Sequence, residues 1–356
     1  MGMQADKKIG ILGANGTIGL LLQKLLLKEN INAEVILGGR NLEIRKNQKK
    51  VDIFDSKSLK EFVEQVDLLI NCAGPTFLMT ERILKVVVPL GKDYIDAFGW
   101  IKYHIREDIS SRIVLNNGCI PGALGSLVKY MISEDIEDIR VWAGGREIGG
   151  KGALGDILLS SINEYGKSGY FIKNFKIEKE EKSIDSKYKI ENMPEEVYIQ
   201  RFLSDEIQKL AERFKLKNIS EYKVFPDKIT QNYILEGCAR CIKEKGDDVR
   251  IYNTIFSDIL EKIQIQNKSK MNWFALNIEA LGRNHRKQLF LRAKDSSCIT
   301  ARMLVYTLKQ LLNTNLPPGL YWPYEFVEGE SLIAELKKMT SKLVNSKSII
   351  FNIGYL

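Results

Sequence analysis

The chain has 356 residues, which at about 150 residues per domain suggests two domains. Hydrophobic residues make up 44% and charged residues 28%, with 27 Gly and 8 Pro, which excludes a mainly disordered or collagen-like chain. No apolar run reaches the roughly 18 residues a bilayer span needs, so no membrane partner is expected. The opening Met1–Lys8 segment carries no separate apolar stretch or cleavage pattern and runs into a strand pattern, which predicts a cytoplasmic protein.

Five cysteines do not make a disulfide framework. Cys72, Cys119 and Cys298 are scattered. Cys238 and Cys241 form a single C-x-x-C with no second pair and no neighbouring His, so reduced thiols on a helix are expected and no metal site. The net charge is +8, a field that favours anionic ligands. Basic residues are interleaved with acidic ones, as in Lys176–Lys182, so no nucleic-acid partner is expected.

Residues 7–12 read as a short buried strand, and Leu20–Lys28 is apolar at helical spacing. Between them lies Gly13-Ala14-Asn15-Gly16-Thr17-Ile18-Gly19, a G-x-x-G-x-x-G turn. Gly13 permits the tight turn, Gly16 lets the backbone approach a pyrophosphate, and Gly19 lets helix lie close on strand. The helix N-terminus then offers unpaired N–H groups to the anion. A second strand, Glu34–Leu37, ends at Gly38-Gly39-Arg40-Asn41. An NAD site usually places a carboxylate there, on the ribose 2′-hydroxyl; Arg40 suits a 2′-phosphate instead. NADP(H) is therefore preferred over NAD(H), with Arg45 and Lys46 adding to the field.

Further strands are expected at 51–53, 67–72, 92–96 and 112–116, with helices at 58–65 and 80–88 between them. Strands alternating with helices predict an α/β chain with an N-terminal Rossmann-type doubly wound parallel sheet. Ligands bind such sheets at the carboxyl ends of the strands. That places Asn71-Cys72-Ala73-Gly74-Pro75, Asp96 and Asn117-Gly118-Cys119 on the cofactor side.

The Gly13–Gly19 turn, Gly39-Arg40, Val51-Asp52 with Asp67–Pro75, Gly91–Gly99 and Gly118–Gly122 follow one another in this order over residues 8–125. Together they resemble the saccharopine dehydrogenase family of nicotinamide-dependent oxidoreductases. The resemblance implies a dinucleotide-binding domain plus an α+β domain for substrate and dimerisation, a homodimer, and reduction of an imine, carbonyl or activated double bond. It does not fix the small-molecule substrate.

The expected domains are 1–125, with the C-terminal segment 330–356 returning to it, and 126–329. In the second, residues 139–143 read as a strand leading to Gly144-Gly145-Arg146, then the glycine-rich 149–152 and a helix over 156–163. Ser204 caps a helix with Ile207, Leu210, Ala211 and Phe214 inward. Alternation over 274–280 and 289–293 predicts a hairpin turning at 282–287. Leu332, Leu336, Met339 and Leu343 mark a C-terminal helix, and 348–353 a last strand.

Hydride transfer asks the protein for positioning and a proton donor or electrostatic stabiliser. Tyr94 and Asp96 end the fifth strand, and alternation puts both side chains on one side of it. Asp96 is the candidate for orienting an amine or cationic imine, and Tyr94 for donating the proton. Cys119 precedes an apolar helix over 124–131, a setting that can stabilise a thiolate. As an alternative, Cys119 is the thioester nucleophile of a semialdehyde dehydrogenase-type enzyme, for which only His104 and His285 are available as bases. The other alternative is a non-catalytic NADP-binding sensor. A tyrosine-based short-chain dehydrogenase needs Tyr-x-x-x-Lys, and no Tyr here is followed by Lys at the fourth position.

Overall fold

A computed structural model describes residues 7–101, 109–147, 149–181, 186–244, 249–283 and 285–339, and the backbone of 350–355. The chain divides into two units, Met1–Ala123 with Ser297–Val327, and Leu124–Ser296 with Glu328–Leu356.

The first unit runs β1 (Lys7–Leu12), α1 (Thr17–Lys28), β2 (Ala33–Gly39), β3 (Gln48–Lys50), α2 (Ser56–Val63), β4 (Leu68–Asn71), α3 (Thr80–Val87), β5 (Asp93–Asp96) and β6 (Arg112–Val114). The second unit follows with α4 (Ala123–Met131), β7 (Ile136–Arg146), α5 (Lys151–Ile162), β8 (Gly166–Ser168), β9 (Tyr170–Lys173), β10 (Lys176–Lys179), β11 (Tyr198–Ser204), α6 (Asp205–Phe214), β12 (Asn218–Phe225), α7 (Lys228–Lys243), α8 (Val249–Asn267), β13 (Trp273–Gly282) and β14 (Arg286–Ala293). The chain then returns to the first unit with α9 (Ser296–Asn313), β15 (Gly319–Tyr321) and α10 (Pro323–Phe326), and ends in the second with α11 (Gly329–Lys337) and β16 (Ile350–Tyr355).

The first sheet is parallel, in the order β15-β6-β5-β4-β1-β2-β3. Strand order reverses between β1 and β4, the switch point at which doubly wound sheets bind ligands. Both sheet faces are covered, as parallel strands require. Ile9 and Ile11 face a cluster with Leu22, Leu25 and Leu26 of α1 and Ala301, Leu304, Val305, Leu308 and Leu311 of α9. Leu12 and Leu69 face Leu59, Phe62 and Val63 of α2 and Ile83, Leu84 and Val87 of α3.

The third strand forms at Gln48–Lys50, not at 51–53. Gln48–Lys50 pairs with Leu37–Gly39 at the sheet edge, where lysines suit an unpaired flank. Val51 and Ile53 are instead buried in the core below α2. The returning segment also differs from expectation. It is Ser297–Val327, because β15 pairs with β6 and α9 fills the α1 side of the core. Of the expected segment 330–356, the described residues 330–339 and 350–355 belong with the second unit, where β16 pairs with β14.

The second unit is built on a mixed sheet ordered β10-β9-β12-β7-β13-β14-β16, with β11 pairing β12 and β8. The expected hairpin is present as the antiparallel pair β13–β14. Helices α5, α7 and α8 pack together; Gly237 lets them approach, since a Cβ there would lie 2.9 Å from Leu158 and 3.3 Å from Ile259. Ser204 caps α6 by accepting from the Ile207 N–H. Residues 176–179, read from sequence as a solvated stretch, form edge strand β10. They reach it through a turn at Asn174 and Phe175, both at positive φ, as a two-residue hairpin of that type requires. Leu332 and Leu336 of the C-terminal helix α11 are buried, as is Met339 just past its end; Leu343 lies outside the described residues.

Candidate nucleotide site

The glycine turn between β1 and α1 has the expected geometry at two of its three glycines. Gly13 adopts φ +70°, and a Cβ there would lie 2.5 Å from the Ala73 backbone nitrogen. A Cβ on Gly19 would lie 2.4 Å from the Gly13 carbonyl oxygen. Both positions are closed by backbone, which cannot move aside. Gly16 differs: its Cβ would meet only the Gly13 carbonyl, at 3.2 Å. Its freedom is toward the outside of the turn.

Gly16 is the N-cap of α1 and supplies no side-chain cap, and the first turn carries no acidic residue. The first-turn N–H groups are therefore left for an external acceptor. The Gln23 side chain turns inward, donating to the carbonyls of Ala14 (2.6 Å) and Gly19 (3.0 Å). This fixes the loop from behind. Asn15, Gly16 and Thr17 are exposed, and Ile18 is half-buried.

The end of β2 lies beside this turn. Ala14 donates its N–H to the Gly38 carbonyl at 3.2 Å. A Cβ on Gly39 would come within 3.1 Å of Asn15 Oδ1. Arg40 and Asn41 follow, both exposed, and Arg40 makes no ion pair among the described residues. Of the two further cations expected to add to the field, Lys46 is exposed and Arg45 is already paired with Glu43 at 2.5 Å. Arg40 is thus the exposed, unpaired guanidinium at the end of β2.

Beyond the switch point, β4 and β5 end side by side, with Asn71 opposite Asp96 in the ladder. Asp96 is fully buried and has four donors. Its Oδ2 accepts from the Tyr94 hydroxyl, from Thr80 Oγ1 at 2.9 Å and from Asn71 Nδ2 at 3.2 Å, and its Oδ1 accepts from the Phe98 N–H at 3.2 Å. Asn71 Oδ1 in turn accepts from the Ala73 N–H at 3.0 Å. A chain of bonds therefore runs from Asp96 through Asn71 to the Ala73-Gly74-Pro75 loop. Burial pushes the Asp96 carboxyl upward, and the four hydrogen bonds only partly offset it. Burial, then the neighbouring carboxylate, pushes the Tyr94 phenol well above its ordinary range. The same two causes raise the Cys72 thiol.

Tyr94 and Asp96 do share one side of β5, as alternation predicts. The structure spends both side chains on each other in the interior. Tyr94 sits in the α2–α3 core with Phe62 and Ile83. Cys119 is also buried, 3% exposed, and its N–H donates to Thr300 Oγ1 at 3.0 Å. It lies in a tight loop closed by Gly118 N–H to the Pro121 carbonyl and by Ala123 N–H to the Gly118 carbonyl, both 2.9 Å. His104 lies outside the described residues. His285 is bound within the second unit, its Nδ1 2.8 Å from Asp135 Oδ2.

One feature of this strand-end rim was missed in the sequence. Phe77, Phe98 and Trp100 form a half-buried aromatic group, with ring centroids 5.1 and 5.3 Å from Phe77. Two of the three lie in loops with no periodicity, so spacing gave no signal. Among the described residues no group of His, Cys, Asp and Glu could hold a metal ion, and no helix is long and apolar enough to cross a membrane.

Residues 9–112 match the saccharopine dehydrogenase NADP binding domain. Among solved structures, the chain is similar to apo saccharopine dehydrogenase (L-Glu forming) from Saccharomyces cerevisiae. The likeness covers 98% of this chain and 100% of that one, at 12% identity and a TM-score of 0.64. It is a likeness of fold. A short-chain dehydrogenase/reductase from Veillonella parvula in complex with NADP matches over 30% of this chain and 46% of that one, at 18% identity and a TM-score of 0.23. No curated protein matches by sequence.

Proposed function

We propose that the chain, whose residues 9–112 match the saccharopine dehydrogenase NADP binding domain, is an NADP(H)-dependent oxidoreductase of a saccharopine dehydrogenase-like kind, acting on an imine or carbonyl of a small metabolite. The observation that carries the cofactor reading is the pairing of an uncapped α1 N-terminus with an unpaired Arg40 at the end of β2. The first suits a pyrophosphate and the second a 2′-phosphate. The bound nicotinamide would supply the hydride. The protein's part is placement and charge.

Gly13, Gly16 and Gly19 shape the turn that admits the pyrophosphate. Asn15, Thr17 and Ile18 line it, and Arg40 and Asn41 flank the ribose. Asn71, Ala73, Gly74 and Pro75 border the nicotinamide end. Asp96 and Tyr94 act there as positioning residues: the carboxylate anchors Asn71, and Asn71 holds the Ala73 N–H in place. Their burial and mutual bonding favour this role over direct contact with substrate.

The test is a fluorescence titration of the purified protein with NADPH and NADH, wild type beside Arg40→Ala. The reading expects tight NADPH binding that Arg40→Ala weakens at least tenfold, with little change for NADH. Binding of neither nucleotide by the wild type would sink it. NADPH binding without turnover across an imine and carbonyl screen would favour a non-catalytic sensor.

A further inference from the structure

The strand-end rim of the first unit divides by charge. Its β1–β2 side carries the uncapped α1 N-terminus and the exposed Arg40. The loops that follow β4, β5 and β6 are different. Residues 71–80, 96–101 and 115–123 contain no Lys, Arg or His. Their polar side chains, Asn71, Thr76, Thr80, Asp96, Asn116 and Asn117, are all buried. These loops present aromatic surface instead. Phe77 stands in a single helical turn, Thr76–Leu78, after β4, and Phe98 and Trp100 follow β5. The Phe77 ring centroid is 5.1 Å from that of Phe98 and 5.3 Å from that of Trp100, at interplanar angles of 44° and 33°. All three residues are half-buried.

The loops are fixed from the interior. Gly99 turns the chain between Phe98 and Trp100 at φ +70°, where a Cβ would lie 2.6 Å from Asp96 Cβ. The Gly99 N–H donates to Thr76 Oγ1 at 3.4 Å and the Phe98 N–H to Asp96 Oδ1 at 3.2 Å. The Phe98 carbonyl accepts from the Asn116 N–H. Buried polar groups thus tie the three loops together, and the aromatic residues are left at the surface. A substrate carboxylate brought to these loops would lose water and meet no cation from them, which is costly away from bulk solvent. An apolar or aromatic group would gain contact with the rings. The rim lies at the carboxyl ends of the strands, where doubly wound sheets receive their ligands.

Resting on the nucleotide reading above, we propose that Phe77, Phe98 and Trp100 set the substrate class. The group beside the reacting carbonyl or imine carbon is uncharged, apolar or aromatic, and packs on this wall. A carboxylate in that place is selected against. The cofactor phosphates take the cationic part of the rim and the substrate takes its neutral part. Asp96 and Thr76 serve the wall indirectly, by holding the loops that carry Phe98 and Trp100.

The experiment titrates the full-length protein, saturated with NADP+, with 4-nitroacetophenone and with 4-acetylbenzoate, read by saturation-transfer difference NMR. The two ketones match in shape and differ in charge. NADP+ has no hydride to give, so binding alone is read. 4-Nitroacetophenone is expected to bind at least about tenfold tighter, because the carboxylate loses water without gaining a partner. Phe98→Leu and Trp100→Leu, made separately, should each weaken it about threefold or more. NADPH affinity and the unfolding transition of both variants should stay close to wild type. Equal or tighter binding of 4-acetylbenzoate by the wild type would overturn the proposal. So would refusal of both ketones, or 4-nitroacetophenone binding that neither substitution changes. Failure of the wild type to bind NADP+ or NADPH is a separate result: it would overturn the nucleotide reading, and this inference with it.

Discussion

Tyr94 and Asp96 stand two residues apart on β5, and the phenol hydroxyl donates to the carboxylate where neither side chain reaches solvent. A phenol that donates into the interior is committed to structure. Tyr94→Phe should cost about 1.5–3 kcal/mol, the usual loss for one hydrogen bond to a charged acceptor. Asp96→Ala leaves Tyr94, Thr80 and Asn71 facing a void and should cost more, about 3–5 kcal/mol. Urea unfolding measures both. Tyr94→Phe should bind NADPH within about threefold of wild type and keep turnover. Loss of turnover in a Tyr94→Phe protein of unchanged stability would make the phenol a proton donor after all.

A second interior charge cluster secures the returning helix. Glu29, just past α1, accepts from Arg302 Nη1 and Lys309 Nζ of α9, both at 2.6 Å. Arg302 is fully buried. Burial alone would raise Glu29, but hydrogen bonds and charge from Lys309 and Arg302 outweigh it and hold it at about 2. A carboxylate lowered on folding stabilises the native state above its unfolded value of 4.5. That contribution is lost as pH falls from 4.5 towards 2. Glu29→Gln should therefore cost about 2–4 kcal/mol near pH 7. The gap to wild type should narrow steadily across that acid window. Denaturation midpoints taken at intervals from pH 7 to pH 2.5 would show it, and a gap independent of pH would remove Glu29 from this role.

Cys119 separates two chemistries. A thioester nucleophile must reach substrate, and this thiol belongs to a residue 3% exposed in a loop pinned to Thr300. Cys119→Ser should fold with a loss of no more than about 2 kcal/mol, as for a small buried polar change. It should retain at least a tenth of wild-type turnover once a substrate is found. Complete loss of turnover, with NADPH binding intact, would restore the nucleophile reading.

Much of the first unit was legible because its signals are local. A strand, a glycine turn and an apolar helix at the right spacing define β1 to α1 without help from the rest of the chain. The β13–β14 hairpin was legible for the same reason. Elements that depend on distant partners were not. Nothing local in Gly319–Tyr321 says that it pairs with Arg112–Val114, nor does α9 carry a sign that its buried Arg302 meets Glu29. Val51 and Ile53 looked like strand residues because burial in a loop and burial in a strand leave the same apolar trace. At the site, sequence placed Tyr94 and Asp96 on one side of their strand. It could not say that this side is the interior, because that depends on Asn71, Thr80 and Phe98 arriving from elsewhere.

The three turn glycines also make separable demands, and this gives the sharpest test of the nucleotide site. A Cβ at Gly19 would lie 2.4 Å from a backbone oxygen, so helix and strand must part to admit it. Gly19→Ala should destabilise the protein by about 2 kcal/mol or more, despite alanine's better helix propensity of roughly 1 kcal/mol. Gly16 is the N-cap, where its Cβ would meet one atom at 3.2 Å. Gly16→Ala should cost the fold only a few tenths to about 1 kcal/mol. Its methyl would nevertheless stand where a pyrophosphate must approach the α1 N-terminus. Gly16→Ala should accordingly weaken NADPH at least tenfold in a protein whose unfolding transition is nearly unchanged. If Gly16→Ala binds NADPH like wild type, the pyrophosphate does not lie on this turn, and Arg40 loses its reason to face a 2′-phosphate.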